Sequence, residues 1–333
     1  MRFITKKIVQ TVRKWSWMKR LGACAAVFVL LFVSFFLFKV EKTFSLINTK
    51  MFSKVFQVDN QDDYQEKNRV NILIMGLRGK GDVLNGEYLT DTMMVLSIKT
   101  DANKAALFSI PRDLYVRVPG WGKMEKINFA YAYGKQTLHD GLQIATRVVE
   151  RVAGVHIDYA IAVNFSSFMK LIDMVGGIDV YVPNDFSESA QWGFDFQVPK
   201  GVNHMNGETA LYYSRSRYSS NDFDRARRQQ DVLTALGNKV AGIGVFANPI
   251  KLSKMLDALS EGVDTDIDFI SLLRFTKYAK AMSEADLARI VFDDSQNGLL
   301  VSGFAASAYV LYPKAGIENY NEIKDRFRSV FAK

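Results

Sequence analysis

Between Val70 and Val182, apolar runs of strand length alternate with stretches of helical spacing. "VNILIM" (70–75), "TMMVLSIK" (92–99) and "AALFSI" (105–110) are largely apolar, and Pro111 ends the last, which predicts three buried strands. Over Thr137–Ala153, Leu138, Leu142, Ala145, Val149 and Val152 fall at 4-3-4-3 spacing, the stripe of an amphipathic helix stopped by Gly154. "DYAIAVNF" predicts another strand, "SSFMKLIDMVGG" a short helix with a glycine end, and "IDVYVP" a strand closed by Pro183. Strands alternating with helices argue for a layered α/β fold. A helix over 223–241 places Val232, Leu236 and Val240 on its core stripe. From about Phe269, two more helical stretches flank "ARIVFDD" and "GFAASAYVLYP", so residues 246–333 read as an appended helical and mixed extension.

The pattern upstream is different. Leu21–Phe38 runs for 18 residues without a charge, roughly 27 Å as a helix and close to the thickness of a bilayer core. Seven of the chain's basic residues precede it (Arg2, Lys6, Lys7, Arg13, Lys14, Lys19, Arg20), with no acid among them. That flank stays on the cytoplasmic side and sends the remainder outside. No small-x-small cleavage site closes the apolar run before Lys39, so it reads as an uncleaved anchor. The expected order is a basic cytoplasmic tail (1–20), a single transmembrane anchor (21–38), a stalk (39–69), a main domain (70–245) and the extension (246–333). The chain thus sits in the cytoplasmic membrane with its C-terminal bulk extracytoplasmic.

Charge sharpens this picture. The formal charge is +8, but without the N-terminal seven the balance is 36 basic against 35 acidic residues. A protein that tracks DNA spreads positive charge over a domain face, so nucleic acid is not the expected partner. The sequence has no G-x-S-x-G elbow, no Walker loop, no H-E-x-x-H and no C-x-x-C, and its three histidines lack ligand spacing.

Four polar constellations remain. Asp91 opens the strand in "YLTDTMMV", and Arg112 with Asp113 follows a buried strand end in "SIPRDLYV". Lys126 lies in "EKINFAYAYG", and "SRSRYSSNDFDRARRQQ" (214–230) holds Arg215, Arg217, Arg225, Arg227 and Arg228. Taken singly, each is as readily a solvated loop charge. Stepping back from Val232 by helical spacing reaches Gln229, Arg228 and Arg225, whereas Arg227 shares its face with Asp231, Thr234 and Asn238. Arg225 and Gln229 therefore continue a buried stripe, with Arg228 at its edge, and buried charges need partners. Arg215 and Arg217, two apart, would point the same way from an extended segment. The partners are an anion held by inward guanidinium groups, or Asp222 and Asp224 in a structural ion-pair network. The first is preferred because bidentate phosphate recognition favours arginine.

"NILIMG", "TDTMMVLSI", "FSIPRDLYV", "KINFAYAYG", "VNFSSFMKLIDMVGGIDVYVP", "MNGETALYYSRSRY" and "DFDRARRQQ" occur in the order seen in the LytR-CpsA-Psr family. The chain resembles that family over roughly residues 70–240. The resemblance implies an α/β/α sandwich with a central mixed sheet and a hydrophobic tunnel for a polyprenyl tail. It implies a Mg²⁺-dependent transferase, with Mn²⁺ as a substitute, that moves a glycopolymer from a polyprenyl-pyrophosphate carrier to peptidoglycan. The family's metal-binding aspartate falls on Asp91, and its pyrophosphate-binding arginines fall on Arg112, Arg215, Arg217 and Arg225. Its glutamine falls on Gln229, and Lys126 takes the place of a basic residue near the phosphates. Asp91 and Arg112 are the implied catalytic pair, with Asp91 as metal ligand or as base. The loop "GLRGKGD" departs from the family pattern, leaving Asp82 as the second metal contact and Arg78 as a replacement guanidinium.

Two other functions fit the same residues: a non-catalytic polyprenyl-phosphate sensor or regulator, and a polyprenyl-pyrophosphate glycan hydrolase that uses water as nucleophile. The charge asymmetry around Leu21–Phe38 yields a topology test. A reporter fused after Lys333 is expected to be active only outside the cytoplasmic membrane, and cytoplasmic activity would remove the cell-wall reading.

Overall fold

The computed structural model describes residues 68–79, 86–102, 104–243, 249–268, 271–272 and 286–332. The expected tail and anchor, the stalk up to residue 67, and Asp82 lie outside them. Among the described residues, no helix is long and apolar enough to cross a membrane.

In chain order, the N-terminal half holds β1 (Arg69–Leu77), β2 (Thr90–Lys99), β3 (Lys104–Ser109), β4 (Tyr115–Arg117), β5 (Met124–Lys126), α1 (Phe129–Thr137), α2 (Gly141–Ala153), β6 (Tyr159–Asn164) and α3 (Phe165–Met174). Then come β7 (Ile178–Val182), β8 (Phe186–Glu188), β9 (Phe196–Val198), β10 (Gly201–Met205), α4 (Gly207–Arg215), α5 (Asp222–Gly242) and α6 (Pro249–Leu259). The last are β11 (Val263–Thr265), β12 (Asp286–Val291), β13 (Leu300–Ala305), β14 (Ala308–Pro313) and α7 (Asn321–Ser329).

Six strands form the central sheet in the order β11-β6-β1-β2-β3-β12. β1 pairs parallel with β6, and β3 with β12, while β2 runs antiparallel between β1 and β3. The fold is thus mixed α/β around a mixed sheet. The strands expected at 70–75, 92–99 and 105–110 are its centre, and their near-continuous burial reflects cover on both faces. One face, with Leu73, Met75, Val95 and Phe108, packs under Val148, Val149 and Val152 of α2 and Ile323 and Phe327 of α7. On the other face lies α5, whose buried Gln230 donates from Nε2 to Ser109 Oγ at 2.8 Å and to Ile290 O at 3.0 Å. A second core gathers Ile172 of α3, Val180 of the β7–β10 antiparallel pair, Tyr213 of α4, and Val232 and Leu236 of α5.

Two expectations change. The single helix over 137–153 is broken, because His139 adopts a left-handed backbone with φ 55° and turns the chain. α2 starts only after Asp140, whose side chain caps it by accepting from Gln143 N at 2.9 Å. Its other end is as expected, with Gly154 left-handed at φ 65°. Beyond residue 245, the stretch read as an extension supplies both edge strands of the central sheet, β11 and β12. α7 then fills the core: the Phe327 ring stacks on Phe108 with centroids 3.9 Å apart, and on Phe292 at 5.7 Å. "ARIVFDD" is a strand parallel to β3, hidden from simple reading because its partner lies far back in the chain.

Phe327 is fully buried, so Phe327→Ala is expected to cost about 3–5 kcal/mol. A denaturant melt unchanged by this substitution would show that α7 is not part of the core.

Candidate active site

The site forms where β1 and β3 end and β2 begins. The β1–β2 register steps there from Gly76↔Thr92 to Leu77↔Thr90, so Asp91 has no residue opposite it. Bulges of this kind bend the strand and re-aim a side chain, and they gather beside functional sites. A Cβ on Gly76 would lie 3.1 Å from Thr92, so a glycine keeps the two strands close at this point.

Both oxygens of Asp91 are engaged. Oδ2 accepts from Arg78 Nε at 2.8 Å and Oδ1 from Arg112 Nη1 at 2.6 Å. Arg112 follows Pro111 at the end of β3, and its Nε donates to Asp222 Oδ2 at 3.2 Å. Asp222 is the first residue of α5, a helix whose start is set by Asn221, which accepts from Phe223 N at 2.9 Å and Asp224 N at 2.8 Å. Arg225 reaches Asp222 one turn on, with Nη1 at 3.1 Å, and Arg217 lies 3.6 Å from the same carboxylate. On the other flank Asp113 accepts from Lys126 Nζ at 2.6 Å, placed by the short β4–β5 hairpin.

These residues surround a cavity of about 450 Å³. Its polar wall holds Asp91, Arg112, Asp113, Lys126, Arg217, Asp222, Arg225 and Gln229, and its apolar wall holds Met93, Ile110, Phe223 and Val291. Counting Arg78 through Asp91, five cations oppose three carboxylates, an excess of two positive charges. Burial alone would push the Asp91 carboxyl up, but the Arg78 hydrogen bond and the Arg112 charge hold it below the usual carboxylate range. Burial, joined by the Arg112 charge, pulls the Arg225 guanidinium down to about 10, still fully charged at neutral pH. An arginine so destabilised gains most from an anion placed beside it.

The structure brings Asp91, Arg112, Lys126, Arg217, Arg225 and Gln229 to one cavity, with Arg78 behind Asp91. Arg215 goes elsewhere. It ends α4 rather than lying in an extended segment, so it does not point with Arg217; its guanidinium sits 4.1 Å over the Phe165 ring and 5.3 Å from Trp192. Arg228 is buried but serves the fold: its Nε donates to Tyr213 O at 3.0 Å and Nη2 to Ser216 O. Arg227 is exposed and pairs with Asp224 at 2.7 Å, as the helical stripe predicts. The network partner is therefore Asp222, while Asp224 stays outside. Tyr309 and Leu311 of β14 also line the cavity, and no local pattern in the sequence points to them.

A metal at Asp91 would share the carboxylate with Arg78 and Arg112, each of which takes one of its oxygens. Among the described residues, no group of three or more His, Cys, Asp or Glu could hold a metal ion. An ionised carboxylate has about four lone-pair sites, two of them used here, which fits a hard cation that takes one or two carboxylates and completes its shell with phosphate oxygens.

The LytR_cpsA_psr family model matches residues 34–319. The chain belongs to the LytR-CpsA-Psr family. Within it, a relative from Oceanobacillus iheyensis, named polyisoprenyl-teichoic acid–peptidoglycan teichoic acid transferase TagU, is 36% identical over 66% of this chain and 65% of its own length. The TagU of Bacillus subtilis is 33% identical over 63% of this chain and 64% of its own length. The aligned stretch is thus less than two thirds of either relative. The crystal structure of B. subtilis TagV, another LytR-CpsA-Psr fold, superposes with a TM-score of 0.62 at 28% identity, covering 80% of this chain and 98% of that one.

The arginines of α5 are expected to separate by readout. Arg225→Ala should weaken pyrophosphate binding on the order of tenfold to a hundredfold, from the loss of one charge-assisted contact. Arg228→Ala should instead lower the melting temperature, since orphaning buried carbonyls costs roughly 1–3 kcal/mol each. Arg227→Ala should change neither by much. Calorimetric titration and thermal melts of the three variants check this, and a uniform loss of binding would return the basic cluster to a diffuse anion surface.

Proposed function

We propose that this protein is a phosphotransferase that moves a teichoic-acid-type glycopolymer from a polyprenyl-pyrophosphate carrier to peptidoglycan. It works outside the cytoplasmic membrane, held there by Leu21–Phe38. The observation that carries this reading is the set of four cations, Arg112, Lys126, Arg217 and Arg225, gathered around a space the size of a small ligand, which suits the two negative charges of a pyrophosphate diester. The names of the TagU relatives support the substrate class.

In this reaction a peptidoglycan sugar hydroxyl attacks the phosphorus that bears the glycan. The new O–P bond forms, the bridging P–O bond breaks, polyprenyl phosphate leaves with the electron pair, and the hydroxyl proton passes to water or to the departing phosphate. Arg112, Arg225, Arg217 and Lys126 meet the charge that develops on the phosphate oxygens, and donors already in place at the transition state contribute most. Each now rests on Asp222, Asp91 or Asp113 and can pivot to phosphate without crossing open water. Gln229, two turns into α5, adds a neutral donor on the same wall. Asp91, together with Asp82, would hold Mg²⁺, which when bound would draw electron density from the phosphate oxygens and offset charge on the leaving group. Arg78 and Arg112 keep Asp91 ionised, which suits a ligand and makes it a poor base.

The test uses full-length protein in membrane vesicles with a polyprenyl-pyrophosphate glycan and a peptidoglycan acceptor. Wild type is expected to transfer glycan phosphate and to stop when a chelator is added. Asp91→Ala should abolish transfer, and Arg112→Ala should slow it on the order of tenfold to a hundredfold. Release of free glycan phosphate without acceptor would identify a hydrolase, and binding without turnover a sensor.

A further inference from the structure

The β13–β14 hairpin is unlike the cavity it adjoins. Leu299–Pro313 contains no charged residue. Its inner end is fixed: Leu311 N donates to Asp113 O at 2.9 Å, and Leu311 makes a bridge to Leu114 beside the Arg112 turn. Leu311 and Tyr309, two residues apart, share one face of β14, and both line the cavity. Phe304 stands directly opposite Tyr309 in the ladder, and their rings meet edge to face at 6.3 Å. The face thus runs from the cavity wall at Leu311 through the rim at Tyr309 to Phe304, which is 72% exposed.

An exposed aromatic pair is costly unless something covers it. The hairpin itself offers no charge to pair with an ionic partner, while the rim is not purely apolar. Tyr309 lines the same cavity as Asp113 and Asp222, so the rim sets a phenol near carboxylates that can accept from hydroxyl groups. A neutral ring with apolar faces and an edge of hydroxyls matches that combination, and a sugar is such a ring. The proposed transfer needs a second substrate of this chemistry, close enough to the phosphate cavity for its hydroxyl to reach phosphorus.

We infer that the β13–β14 hairpin is the acceptor subsite, where Phe304 and Tyr309, set edge to face, form an aromatic corner that packs against an N-acetylhexosamine ring of peptidoglycan and holds its hydroxyl at the cavity mouth. This rests on the transferase reading above. Phe304 and Tyr309 are positioning residues that act on the acceptor, whereas the arginines and Lys126 act on the donor.

The experiment compares wild type with Phe304→Ala, Tyr309→Ala and Tyr309→Phe as full-length chains in vesicles. Acceptor KM, donor Kd and direct binding of a peptidoglycan disaccharide are measured for each. The two alanine variants are expected to raise acceptor KM and disaccharide Kd about three- to tenfold, as loss of one ring contact implies, with donor Kd unchanged. Tyr309→Phe should keep the ring contact and lie close to wild type in disaccharide Kd. A loss of donor affinity with acceptor KM intact would overturn the assignment and place the donor glycan on the hairpin; no change in any value would also overturn it. If wild type transfers nothing, the function fails, but the disaccharide binding arm still decides the hairpin: loss of binding in Phe304→Ala supports a sugar subsite, and undiminished or absent binding removes it. Phe304 is exposed enough that its removal should leave the thermal melt unchanged.

Discussion

Buried arginines need carboxylates, and the ligand-free site is organised around that need. Arg112 and Arg225 are packed where water cannot screen them, and Asp222 stands between them at the start of α5. Without Asp222 the two guanidinium groups would repel each other across a poorly polarisable space. Asp91 plays the same part between Arg112 and Arg78. The carboxylates allow the cations to stay in place, and the incomplete match leaves the site ready for a dianion. Buried pairs of this kind add little net stability, so their value here is geometric.

The rest of the architecture serves that geometry. The bulge at Gly76–Leu77 frees Asp91 from the sheet ladder, Pro111 ends β3 so that Arg112 turns into the cavity, and Asn221 starts α5 where Asp222 and Arg225 can meet. Gln230, one turn along α5 from Arg227, clamps that helix to β3 and β12 through backbone and side-chain acceptors. A shift of α5 by one turn, about 5.4 Å, would dismantle the site, and this buried amide prevents it.

Much of the site was legible in the sequence because helical periodicity is local. Arg225 inward and Arg227 outward follow from the positions of Val232 and Leu236 alone, and burial agrees. The four inner strands of the central sheet, β6, β1, β2 and β3, were legible because their apolar runs are local too, whereas the edge strands β11 and β12 were not. Three things were not. A left-handed residue at His139 is a backbone event with no mark in apolar spacing, so the helix expected from Thr137 starts only at Gly141. Arg215 and Arg217 diverge because α4 persists through Arg215, which periodicity cannot settle at a helix end. Tyr309 reaches the cavity only through pairing with residues far away in the chain. The family resemblance supplied roles for the matched residues, but it could not reveal Asp222 as the hub or the role of residues past 240.

The stacking of Phe327 on Phe108 has a temporal side. Phe108 lies four residues before Arg112, and β3 is flanked by β12, which arrives nearly two hundred residues later. Closing so long a loop is entropically slow, so β3 gains its neighbour and its cover late in folding. A chain folding from its N-terminal end would therefore bring Asp91, Arg112 and Asp222 together before β3 has its outer neighbour. The wall of the cavity that holds Val291, Tyr309 and Leu311 would be the last part to close.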